Sequence, residues 1–145
     1  MNRPLDKRLV PWILALAHCL LAVTLWLRGM RFKAEHAFTG WDWMWQVIPV
    51  DDLLNHPWSS LWYLHAQPPG FSLWGLAWLR LAGADHFPAA MQFGYIALGG
   101  LAVAVTYRLM LNLSGSPRLA LLAGLVMAIH PALLLFENYE LYEML

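Results

Sequence analysis

"GFSLWGLAWLRLAG", residues 70–83, decides the fold. A helix over these 14 residues rises ~21 Å, short of the ~30 Å hydrocarbon core that a spanning helix crosses. Arg80 lies inside the stretch, and Trp74 and Trp78 at i, i+4 share one face. The segment therefore reads as an interfacial helix of about 70–83, lying on a membrane surface and not through it. Everything downstream changes side of the membrane if this reading is reversed.

The rest of the chain supplies the spans. Of its 145 residues, 60% are hydrophobic and 12% charged, half the ~25% charge of a soluble domain. Leu9–Leu27, Phe87–Tyr107 and Leu119–Phe136 carry no Asp, Glu, Lys or Arg. Each approaches or meets the ~20 residues of a span. The expected fold is an all-α membrane protein. It has three transmembrane helices of about 9–28, 88–110 and 119–137, and a large first outer loop, 29–87, holds interfacial helices. The first run follows Arg3, Lys7 and Arg8 like a signal peptide, but it is long and lacks an A-x-A-like cleavage site. It reads as a retained signal anchor.

Charge placement tests this topology. With three spans and a cytoplasmic N-terminus, Arg3, Lys7, Arg8, Arg108 and Arg118 occupy two short inner segments, as the positive-inside rule requires. Glu35, Asp42, Asp51, Asp52, Asp85, Glu137, Glu140 and Glu143 then lie outside. A spanning 70–83 would reverse Arg108, Arg118 and the terminal Glu cluster. Seven of the nine Trp fall between Trp41 and Trp78, as in an interfacial aromatic belt. Within the loop, Val47, Val50, Leu53 and Leu54 recur at near-helical spacing interrupted by Pro49 and Pro57, the pattern of short interfacial helices.

The formal net charge is zero, so nothing points to nucleic acid. Cys19 sits alone in an apolar run and reads as a packed small hydrophobe. CxxC, HExxH, GxSxG, P-loop and dinucleotide fingerprints are missing from the sequence. The closing residues, "ENYELYEML", follow directly on an apolar segment, which suggests the front part of a larger protein.

Several polar residues could carry chemistry. Asp42 lies between Trp41 and Trp43. A carboxylate held among indoles is suited to proton abstraction or metal binding, whereas one that faces water there does nothing. Asp51 and Asp52 precede "LLNHP" and fit an Asp N-cap on a short helix, with function as the other reading. His65 and Gln67 stand before Pro68 and Pro69, at a helix start whose free N–H groups suit a phosphate; a solvated polar turn is the alternative. Glu137, Glu140 and Glu143 at i, i+3, i+6 stack along one helical side, with Asn138 and Tyr139 beside the first. They form either a cation-seeking cluster or an ordinary solvated helix end. His130–Pro131 reads as a kink whose buried His bonds a neighbouring helix.

"GWDWMWQVIP" (40–49), "SLWYLHAQPPGFSLW" (60–74) and "HPALLLFENYELY" (130–142) together resemble the membrane glycosyltransferases of the GT-C class. The resemblance is to the protein-mannosyltransferase-like (family 39, RgtA-like) group and its relative, the lipid A aminoarabinose transferase. It covers nearly the whole chain after the first span and corresponds to the N-terminal part of such a multi-pass domain.

What the resemblance implies is inverting transfer of a sugar from a polyprenyl-phosphate donor to a glycan, lipid or protein acceptor. The active face would be extracytoplasmic on the plasma (inner) membrane of a cell envelope. By position, Asp42 takes the acceptor-side catalytic role with Glu137 as partner, and His65 and Gln67 meet the donor phosphate. Asp51, Asp52, Asn138 and Tyr139 are secondary candidates. Relatives often carry Lys directly before "PP", where this chain has Gln67; Arg80 is the cation that could replace it. Relatives differ in metal use, so a divalent cation stays open as cofactor. The competing class is a non-catalytic transporter or assembly subunit, which should place ionisable groups near mid-span.

Overall fold

The computed structural model describes residues 8–30, 48, 50–62 and 70–138. All the regular structure among them is helical: α1 Val10–Leu27, α2 Val50–Asn55, α3 Pro57–Trp62, α4 Gly70–Ala82, a 3-10 turn Ala84–His86, α5 Phe87–Ser114, α6 Pro117–Ala128 and α7 Pro131–Asn138. Three stretches are long and apolar enough to cross a membrane: Val10–Leu27, Ala89–Ser114 and Pro117–Leu135. The protein is an all-α, multi-pass membrane protein. At 13 residues α4 is not among the spans.

The chain divides into two compact units, 1–31 with 93–141 and 32–92 with 142–145. In the first, α1 and α5 run antiparallel. Trp26 meets Phe93 with ring centroids 5.5 Å apart, the Cys19 thiol donates to the Ile96 carbonyl at 3.5 Å, and the Arg108 guanidinium lies 5.4 Å over the Trp12 ring. Cys19 is half-buried in this contact, packed as its apolar surroundings suggested. Glycines let the backbones close in. A Cβ on Gly100 would stand 2.6 Å from the Cys19 Sγ and 3.3 Å from the Ala15 carbonyl oxygen. On Gly124 of α6 it would stand 2.8 Å from Leu14 Cδ1. In bilayers, where hydrocarbon offers apolar side chains no reason to leave it, such close small-residue packing is the main source of helix association.

The buried clusters follow from these contacts. Leu14, Val103, Tyr107, Ala120 and Ala128 form one; Ala22, Ile96 and Leu134 form the other. Outward-facing Leu16, Leu20, Leu101, Val105 and Leu122 are exposed and apolar, as a lipid-facing surface must be. The α5–α6 turn uses Gly115 at φ +63°, a left-handed conformation that favours glycine. Ser116 then caps α6, its side chain accepting from the Leu119 N–H. Pro117 follows at the first helical position.

In the second unit α2 and α3 are six residues each. Pro57 opens α3, so the break expected from this proline is present. Asp51 and Asp52 lie within the first turn of α2, which starts at Val50, two residues earlier than an N-cap at Asp51 would allow. Both are exposed, and a carboxylate in the first turn still complements the helix dipole. Leu53 and Leu79 are buried, while Trp58 (75%) and Trp62 (84%) remain exposed on α3. Trp74 and Trp78 pack edge-to-face at 5.4 Å along α4.

Gly100→Leu should separate α1 from α5 and destabilise the first unit by about 1–3 kcal/mol, the usual cost of overpacking. Leu101→Ala, on the exposed side, should stay within about 0.5 kcal/mol. Thermal unfolding in detergent checks both, and equal midpoints for the two variants would contradict the close approach.

Candidate functional site

The third span is broken. α6 ends at Ala128, α7 begins at Pro131, and the His130 N–H falls back to the Met127 carbonyl at 3.2 Å. Pro131 has no N–H to donate and its ring crowds the preceding turn, which accounts for the interruption. The kink expected at His130–Pro131 is therefore present, but His130 itself is exposed. The buried histidine is His18, in the middle of α1.

His18 is 1% exposed and Glu137 2%. The imidazole bridges the break: Nδ1 donates to the Ala128 carbonyl at 2.7 Å, and Nε2 meets the Glu137 carboxyl Oε1 at 2.7 Å. A carbonyl can only accept, so Nδ1 must carry hydrogen. One further proton then lies between Nε2 and Oε1. On the ring it makes an imidazolium–carboxylate pair, and on the carboxyl it makes two neutral groups. The net charge is zero in both arrangements, which is what a low-dielectric interior demands of an ionisable pair. Among the described residues, Glu137 Oε2 is buried without a hydrogen-bond partner.

Helix phase explains why the break is needed. Ala128 and Glu137 are nine positions apart, about two and a half turns of a continuous helix, which would set them on opposite faces. Interrupting the helix at Ile129–His130 brings both to the same imidazole. Gly99 of α5 supplies the room, because a Cβ there would overlap Glu137 Oε1 and stand 2.9 Å from His18 Nε2.

The sequence-predicted residues are not gathered at this place. Asp42, His65, Gln67 and Tyr139 lie outside the described residues. Asn138 is the last residue of α7. Asp51 and Asp52 are solvent-facing on α2. Arg80 is exposed and donates from Nη2 to the Leu54 carbonyl at 3.1 Å, tying α4 to α2. Glu137, read from the sequence as a group at the outer face, has its carboxyl against a mid-span histidine. No group of three or more His, Cys, Asp or Glu that could hold a metal ion occurs among the described residues. The sequence marks His18, with His130, as an ionisable residue inside the spans, but a lone histidine in an apolar run carries no periodic signal that would name its partner.

His18→Ala or Glu137→Ala leaves the other group buried and unpaired, at about 1–3 kcal/mol each. The double variant should cost less than the sum, with a coupling of about 1–2 kcal/mol, near the upper end for hydrogen bonds between helices in bilayers. Gly99→Ala should match the single losses. Equilibrium unfolding in detergent micelles measures all four, and strict additivity of the two alanine variants would remove the pair from the account. The chain matches no protein-family model, no curated protein and no solved structure.

Proposed function

We propose that this chain belongs to a GT-C-type membrane glycosyltransferase. It moves a sugar from a polyprenyl-phosphate donor to an acceptor at the extracytoplasmic face of the plasma membrane, with its N-terminus cytoplasmic. The observation that carries the reading is the length of α4. Because α4 falls short of a span, α1 and α5 are consecutive spans and the segment between them belongs to one side of the membrane. Asp42, His65, Gln67 and Arg80 all belong to that segment. The orientation is supported by the stacking of Arg108 on Trp12, four positions after Arg8 in the sequence, the placement of cations expected of an inner face.

The chemistry asks little more. The acceptor hydroxyl oxygen attacks the anomeric carbon as the bond to the phosphate oxygen breaks, and Asp42 takes the hydroxyl proton. Polyprenyl phosphate leaves with the bonding pair. Its growing charge is met by His65, Gln67 and helix N–H groups, with Arg80 as the cation. Arg80 uses one N–H on Leu54, and a guanidinium has five. The mid-span pair is what a transporter or assembly-subunit reading would draw on. Yet Nδ1 is closed by a carbonyl that neither supplies nor accepts a proton, so the ring cannot pass one through, and the glycosyltransferase reading stands ahead.

Asp42→Asn in the full-length protein should lower sugar transfer from a polyprenyl-phosphate donor at least ~100-fold. Membrane insertion and the thermal midpoint should stay as in the parent. Undiminished transfer by that variant would reject the assignment.

A further inference from the structure

We infer that His18 and Glu137 are a positioning pair: they set the direction in which the chain leaves the broken third span, and Glu137 is not the acid that touches substrate. This inference rests on the glycosyltransferase reading for its catalytic consequence only. The tie itself stands on geometry.

Four observations converge on it. Ala128 and Glu137, on either side of the break, are both held by one imidazole at 2.7 Å. A break at Ile129–His130 leaves a joint free to swivel, and two bonds to a rigid planar ring fix the joint where one bond would not. Next, both side chains are almost fully buried, so water does not compete for the bonds and the acid is not presented to a solvated cavity. The missing side chain of Gly99 leaves the space the carboxyl occupies, since a Cβ there would overlap Glu137 Oε1. Finally, Leu134 of α7 packs with Ala22 and Ile96, one turn before Glu137. An apolar and a polar contact thus hold the same helix against α1 and α5.

The consequence falls on the "ENY" motif. Asn138, the last residue of α7, follows Glu137 directly, so the direction of α7 places its backbone. An acid that orients its neighbours through His18 should tolerate replacement by a neutral group of the same shape. A Gln side chain can donate its N–H to Nε2 while Nδ1–H keeps its bond to Ala128.

The test uses the full-length protein with a polyprenyl-phosphate sugar, and reads kcat, donor KM and the thermal midpoint. Glu137→Gln should keep kcat within about threefold of the parent. His18→Ala and Glu137→Ala should each lower kcat at least tenfold with donor KM changed less than threefold, and the double variant should be no worse than either single one. A hydrophobic carbodiimide should modify Glu137 faster in His18→Ala than in the parent, where the bond to Nε2 holds the carboxyl. The inference is overturned if Glu137→Gln abolishes transfer while His18→Ala leaves it intact, the pattern of a catalytic acid. It is equally overturned if His18→Ala changes neither the midpoint nor the labelling rate. Should Asp42→Asn leave transfer undiminished, the enzyme reading falls, and the midpoints and labelling still decide whether the tie exists.

Discussion

A neutral imidazole–carboxyl tie in the middle of an apolar bundle is the interaction on which the first unit depends. Helix association in lipid gains nothing from moving leucine out of water, so the bundle relies on close packing and on polar bonds that have no solvent alternative. His18 supplies the polar part. Its ring meets the Ala128 carbonyl and the Glu137 carboxyl, while Gly99 and Gly100 let α5 approach closely enough to enclose them. Small residues, the proline break and the ionisable pair are therefore one arrangement. Without the glycines the carboxyl has no space; without the break the two partners fall on opposite helix faces; without the histidine only the apolar packing of Leu134 holds α7 after the break.

What could be read from the sequence is what depends on length and composition. The three spans and the short α4 follow from uncharged run lengths set against a fixed hydrocarbon thickness. Gly115, Ser116 and Pro117 mark the turn between α5 and α6 by local conformational preference. These features are decided within a few residues of themselves. The start of α2 at Val50 shows the margin of such readings, because a helix boundary moves by a residue or two without changing what the helix does.

The site was less legible, for a physical reason. Pro131 announces an interruption but says nothing of how far the chain rotates across it, and that rotation decides whether His130 or another group faces the bundle. In the structure His130 is outside and His18 inside. Glu137 looked like a helix-end acid because the uncharged run stops just before it. Its partner is 119 positions away, and no local pattern encodes that distance. Asp42, His65 and Gln67 are read from motif order alone and lie outside the described residues.

The same tie separates two kinds of intramembrane ionisable pair. A relay needs a route for protons on both sides of the imidazole, so each ring nitrogen must face a group that can give or take one. Here one nitrogen faces an amide carbonyl, which accepts a hydrogen bond and never a proton at any ordinary acidity. The remaining proton can shift between Nε2 and Oε1, but it cannot travel further through the ring. The bond from Nδ1–H to the Ala128 carbonyl thus closes two openings at once: it gives that carbonyl a donor in place of the helical N–H lost at the break, and it turns a residue type associated with proton movement into a fixed point of the fold. An imidazole so closed holds its two partners in place and offers a proton no onward path.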